Sequence, residues 1–139
     1  MNAVDTNILI YSNDSRTPLK RRTAIELISN LQEVVLLWQV ACEYVAASRK
    51  LQNFGFTPQD ALVDIALLRQ SWKPVLPTWA VFDRAENLMN RYHVSSWDAL
   101  IIAACLENGV TKLYTEDIAM ISAKKELKLL IRFKHRNYF

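Results

Sequence analysis

Residues 34–38 read Val34-Val35-Leu36-Leu37-Trp38, five apolar side chains in a row with no polar alternation. A strand with one wet face alternates; an unbroken run belongs to a strand buried on both faces, as in a parallel sheet covered by helices. The flanks agree with that reading. Before the run, residues 1–4 form a short apolar strand, and residues 19–31 place Ala24, Ile25, Leu27, Ile28 and Leu31 at helical spacing. After it, residues 40–51 read as a helix. Thr57-Pro58-Gln59-Asp60 then supplies the cap, the first-turn proline and the third-position acid that open another, running to about Ser71. Val75-Leu76 is a short strand between prolines. Thr78 caps a helix carrying Phe82, Ala85, Leu88, Met89 and Tyr92, and Ser96 caps a strongly apolar helix through Leu106 that stops near Gly109. Residues 112–114 read as a strand, 117–123 as a further helix and 127–133 as a last strand. This rhythm predicts an α/β fold, a parallel sheet of about four or five strands flanked by helices.

The composition sets the outer bounds. The chain has 139 residues, 51% hydrophobic and 22% charged, with only 2 Gly and 4 Pro, which excludes a disordered or collagen-like chain and predicts a single domain over residues 1–139. The longest apolar stretch, 99–106, is less than half of the ~20 residues a membrane-spanning helix needs. The opening Met1-Asn2-Ala3-Val4-Asp5 has no basic segment of a secretory signal, so a cytosolic protein is expected. Cys42 and Cys105 are read as core thiols, since they form no zinc spacing with His93 and His135. Lys and Arg number 17 against 14 Asp and Glu, a net charge of +3. Lys124, Lys125, Lys128, Arg132, Lys134 and Arg136 crowd the C-terminus, and Arg16, Lys20, Arg21 and Arg22 form a second cluster. Either cluster alone also fits an ordinary solvated face.

In open parallel sheets, function gathers beyond the carboxyl ends of the strands. Asp5 directly follows the first strand, Glu43 lies in the first turns of the helix after the second, Asp98 opens the most apolar helix, and Glu116 and Asp117 follow 112–115 at once. Taken singly, Asp98 or Asp117 is explained by capping and the helix dipole, and Glu43 by an exposed helical face. Asp5, between Ala3-Val4 and Ile8-Leu9-Ile10, is harder to explain, because burying it is costly without a partner or a cation. If the acids converge on one rim, mutual repulsion demands a cation. An all-oxygen ligand set favours Mg²⁺ or Mn²⁺ and suits attack of metal-activated water on a phosphodiester. The two glycines, Gly55 and Gly109, form no phosphate loop, and no Gly-x-Ser-x-Gly elbow is present.

Four segments together, Val4-Asp5-Thr6-Asn7-Ile8-Leu9-Ile10-Tyr11, Gln39-Val40-Ala41-Cys42-Glu43, Ser96-Trp97-Asp98-Ala99-Leu100-Ile101 and Leu113-Tyr114-Thr115-Glu116-Asp117, resemble the PIN-domain ribonucleases, and within these the VapC-type toxins of prokaryotic toxin–antitoxin pairs. The resemblance implies a metal-dependent endoribonuclease. Asp5, Glu43, Asp98 and Asp117 would be its acidic quartet, with Asp5 and Asp98 as direct ligands of Mg²⁺ or Mn²⁺ and Glu43 and Asp117 on a second ion or on water. Thr6, Asn7 and Thr115 would support them by hydrogen bonds, and Glu116 is either a spare ligand or an exposed neighbour. Arg16, Lys20, Arg49 and Lys50 are the expected phosphate contacts, Lys50 being placed on the Glu43 face of its helix two turns on. The resemblance also implies a cognate antitoxin lying along the helices at 19–31 and 61–72, whose stripe Ala61, Leu62, Ile65, Leu68 and Trp72 is equally explained by core packing. Homodimers are common in such proteins. The alternatives are a nuclease of this fold outside any toxin pair and a non-catalytic module that holds RNA or protein.

Overall fold

The structure, a computed structural model, describes residues 1–116 and the backbone of residues 130–132. Its elements in chain order are β1 (Asn2–Val4), α1 (Thr6–Tyr11), α2 (Pro18–Asn30), β2 (Val35–Leu37), α3 (Trp38–Ala47), a 3-10 segment (Ser48–Phe54), α4 (Pro58–Ser71), β3 (Lys73–Val75), α5 (Trp79–Arg91), α6 (Ser96–Glu107), β4 (Lys112–Thr115) and β5 (Leu130–Arg132). All strand pairs are parallel: β1 with β4 from Asn2 opposite Lys112, β4 with β5 from Leu113 opposite Leu130, and β2 with β3 from Val35 opposite Lys73. A single parallel bridge, Asn2 to Val34, joins the two pieces, and the Asn2 N–H donates to Glu33 O at 2.9 Å beside it. The lateral order is therefore β3-β2-β1-β4-β5. The expected parallel α/β sheet is present, with its first strand in the centre.

The apolar run at 34–38 behaves as its composition requires, since Val34, Val35, Leu36 and Leu37 are all buried. Pro74, which cannot donate to a ladder, is accommodated because, among the described residues, β3 pairs only with β2. Helix α4 opens with a complete capping box. Thr57 Oγ1 accepts from Asp60 N–H at 3.2 Å, while Thr57 N–H donates to Asp60 Oδ2 at 2.9 Å. Thr78 caps α5 as expected, and α5 turns Val81, Ala85 and Leu88 inward. Helix α6 buries Ala99, Ile101, Ile102, Ala103 and Cys105, which accounts for its nearly uniform apolar sequence.

Several local expectations change. Helix α1, of six residues, is too short to carry a visible period, yet it buries Ile8 and Leu9. Trp38 starts α3 instead of ending a strand, and the helix expected over 40–51 is α-helical only to Ala47. Beyond that the chain tightens into the 3-10 segment and closes at Gly55, whose φ of 88° suits glycine. Ser95, not Ser96, caps α6, accepting from Asp98 N–H at 3.2 Å. Cys105 is a core thiol, pushed up to about 12 by burial and then by the nearby Asp5 charge, but Cys42 is exposed. The α4 stripe divides: Ala61, Ile65, Leu68 and Trp72 pack on the core, whereas Leu62 faces solvent. The helix expected at 117–123, the side chains of the C-terminal basic cluster and His135 lie outside the described residues. No helix among the described residues is long and apolar enough to cross a membrane.

One polar knot fastens the helices behind the site. Tyr44 of α3 is fully buried and its hydroxyl donates to Asp64 Oδ2 of α4 at 2.6 Å. Asn13, just past α1, donates to the same hydroxyl at 2.6 Å and to Asp64 Oδ2 at 3.3 Å. Burial and the Asp64 bond hold the phenol protonated well above its usual range. Tyr44→Phe keeps the ring and deletes the bridge, so it is expected to lower unfolding free energy by about 1–3 kcal/mol with an unchanged denaturant slope, measured by urea titration.

Candidate active site

The site is built where β1 and β4 end side by side. Asp5 N–H donates to Tyr114 O at 2.8 Å, extending the ladder by one bond, and the chain then turns into α1 with Asp5 as its N-cap. The Asp5 carboxylate is only 9% exposed. It accepts from Thr6 N–H at 2.7 Å through Oδ1 and from the buried Thr115 hydroxyl at 2.9 Å through Oδ2. Burial raises its pKa above the usual carboxylate value; the bonds from Thr115 and Thr6 oppose that shift, and the charges of Glu43 and Asp98 add to it.

From Asp5 a continuous series of hydrogen bonds crosses the rim. Thr6 Oγ1 donates to Glu43 Oε2 at 2.7 Å, bringing α3 to α1. Gln39 Nε2 donates to Glu43 Oε1 at 2.8 Å and to Trp97 O at 3.3 Å, bringing α6 to α3. Asp98 follows Trp97 directly, in the first turn of α6. Thr115, Asp5, Thr6, Glu43, Gln39 and Trp97 thus link β4, α1, α3 and α6 with the acids at their junction. Asp5, Glu43 and Asp98, far apart in sequence, come within electrostatic reach. Among the described residues no three of these side chains already stand as a closed metal cage, and Asp117 lies outside the described residues. Asn7 Oδ1 is buried and has no hydrogen-bond partner there.

The remaining sequence-derived candidates fall differently. Glu116 accepts from the Tyr11 hydroxyl and from Lys20 Nζ at 2.6 Å. Its charge is thereby matched by Lys20, and the bond to Glu116 holds the Lys20 ammonium above its usual pKa. Arg16 turns back on Asp14, with Nε at 2.9 Å from Oδ1 and Nη2 at 3.1 Å from Oδ2, and its guanidinium lies 4.8 Å over the Phe54 ring. Arg49 and Lys50 are exposed on the 3-10 segment, so the α-helical spacing that aligned Lys50 with Glu43 does not extend to it. Two residues of the site were not singled out from sequence. Gln39 stands four residues before Glu43, a spacing that faces it toward Glu43 once the helix is known. Tyr11, four residues after Asn7 on α1, reaches Glu116 through its hydroxyl.

The PIN domain family matches this chain over residues 3–126. The chain belongs to the PIN domain family. Its fold is also similar to solved structures of low sequence identity. A toxin–antitoxin complex from Klebsiella pneumoniae matches with a TM-score of 0.66 at 18% identity, covering 94% of this chain and 97% of that one. VapC20 from Mycobacterium tuberculosis, described as a toxin cleaving the sarcin–ricin loop, matches with 0.66 at 16% identity over 91% and 96%. VapBC-1 from nontypeable Haemophilus influenzae matches with 0.65 at 17% identity over 94% and 96%. A comparison with curated proteins finds no match.

For this PIN domain the buried acid has a thermodynamic consequence. A carboxyl whose folded pKa lies above its unfolded value binds more protons when folded, so its contribution to stability falls as pH rises through the folded pKa. Asp5→Asn keeps an oxygen for the Thr6 N–H and removes the charge. In EDTA the variant is expected to melt a few degrees higher than wild type at neutral pH, the gap closing toward about pH 3, where the wild-type Asp5 carboxyl is protonated in the folded and the unfolded chain alike. A calorimetric pH series measures it.

Proposed function

We propose that this PIN domain is a metal-dependent endoribonuclease, the toxin of a VapBC-type toxin–antitoxin pair, with residues 1–139 as a single nuclease domain. The observation that carries the reading is the Asp5 carboxylate, buried at the strand ends, with Glu43 and Asp98 adding like charge and no cation among its described hydrogen-bond partners. A structure that spends stability to hold such a group fits a site completed by a positive ion. The donors are hard oxygens, which favours Mg²⁺ or Mn²⁺. The VapC and VapBC names of the structural neighbours agree with this reading.

In this reading Asp5 and Asp98 hold the ion, and Glu43 and Asp117 hold a second ion or orient the attacking water. A bound divalent ion supplies the Lewis acidity that lowers the pKa of water and stabilises the leaving oxygen. The chain's own contribution is orientation. Thr115 and Thr6 N–H fix the two Asp5 oxygens, and the Thr6 hydroxyl and the Gln39 amide clamp the two oxygens of Glu43. Exposed Arg49 and Lys50 contact RNA phosphates, while Lys20 and Arg16 act mainly through Glu116 and Asp14. The cognate antitoxin occupies the groove of about 470 Å³ between α2 and α4, against Ile25, Ile28, Leu67 and Leu68, with Arg21 at its side.

The deciding experiment is cleavage of labelled tRNA, rRNA fragments and mRNA with Mg²⁺, Mn²⁺ or EDTA. Cutting is expected only with metal and is expected to fall more than about 100-fold in Asp98→Asn. Cutting that persists in EDTA, or an unchanged rate in Asp98→Asn, overturns the assignment. Thr6→Val, which frees one oxygen of Glu43 without touching an acid, is expected to lower kcat about 10- to 100-fold under single-turnover conditions.

A further inference from the structure

Of the four tryptophans, Trp72 is buried at 7% exposure, as large apolar side chains usually are, but Trp97 is 63% exposed and Trp38 53%. Both belong to residues that frame the acidic site. Trp97 immediately precedes Asp98 and lends its carbonyl to Gln39; Trp38 immediately precedes Gln39. The two indoles line one open groove of about 300 Å³ together with Gln39, Leu76 and Phe82. That volume suits one flat ring system with its sugar, whereas a docked helix is ~10 Å across.

Gln39 gives this apolar groove one oriented polar group. Its Nε2 is committed to two acceptors, Glu43 Oε1 and Trp97 O, which settles the amide orientation and leaves Oε1 unused by these contacts. No described residue donates to that oxygen. The groove therefore offers aromatic faces, a single hydrogen-bond acceptor and a direct connection to the acids. We infer that Trp97 and Trp38 form a stacking subsite for one unpaired nucleobase of an RNA substrate beside the acidic site, with Gln39 Oε1 accepting from an exocyclic amine of that base. Stacking supplies affinity for any base, and the acceptor favours the bases that carry an exocyclic amine, adenine, cytosine and guanine, over uracil, whose only base donor is the ring N3–H. The inference rests on the nuclease reading above and adds to it where the substrate is gripped.

The test is anisotropy of labelled short oligoadenylate and oligouridylate binding to Asp98→Asn protein in Mg²⁺, with circular dichroism melts confirming that each variant is folded. Oligoadenylate is expected to bind more tightly than oligouridylate. Adding Trp97→Ala or Trp38→Ala is expected to weaken oligoadenylate binding roughly 5- to 100-fold, and Trp97→Phe to restore most of it. Leu62→Ala, at an exposed apolar residue of α4 outside the groove lining, is expected to stay within about twofold of its parent. Unchanged RNA affinity in both groove variants, alongside metal-dependent cleavage by wild type, overturns the subsite and leaves the nuclease standing. The same holds if the variants turn a dimer into a monomer in sedimentation velocity with RNA affinity unaltered, which assigns the groove to contact between copies. Wild-type protein that neither binds nor cuts RNA overturns the nuclease reading and the subsite with it.

Discussion

The Asp5 carboxylate sits where β1 passes into α1, nearly sealed from water, with one oxygen on the Thr6 N–H and the other on the Thr115 hydroxyl. A buried carboxylate needs donors for its oxygens, and both donors come from the segments whose positions define the sheet centre. The β1–β4 pairing, the short helix that starts at Thr6 and the inward hydroxyl at the end of β4 are all required to satisfy it. Loss of any one of them strands a charge in the core. This constraint also explains why α1 forms at all: six residues would be a marginal helix alone, but here the N-cap is supplied by an acid already fixed in place.

The rest of the rim extends outward from that group by side chains that each serve two partners. Thr6 caps nothing with its hydroxyl and turns it to Glu43; Gln39 holds Glu43 and the start of α6 together. Behind them, Tyr44, Asn13 and Asp64 fasten α3 to α4 and to the end of α1, the elements that carry Glu43 and follow Asp5. Support of this kind keeps like charges close to one another.

The cations tell a complementary story. Arg16 and Lys20 stand out as basic residues near an acidic motif, yet each is matched to an internal carboxylate, Asp14 and Glu116. The Lys20–Glu116 pair, partly buried and joined by Tyr11, ties α2 to the chain leaving β4 and neutralises one acid of the Glu116-Asp117 pair. Side chains so employed are held by internal partners, whereas Arg49 and Lys50 are exposed on the 3-10 segment.

Much of the architecture was legible in the chain itself. The unbroken run at 34–38 dictates a doubly buried strand, the Thr57 and Thr78 caps mark helix starts, and the spacing of Asp5, Glu43 and Asp98 at strand ends or helix starts marks the rim, because hydrophobic period and capping chemistry act over a few residues. What needed the tertiary structure was everything set by contacts between distant segments. The cap of α6 moved to Ser95, and α3 gave way to a 3-10 segment before Lys50. Cys42 came to the surface, Lys20 turned to Glu116, and Gln39 became the clamp between two helices. In each case the outcome depends on which neighbour lies within a few ångströms. That is decided by how the sheet and helices pack, which neither periodicity nor propensity encodes.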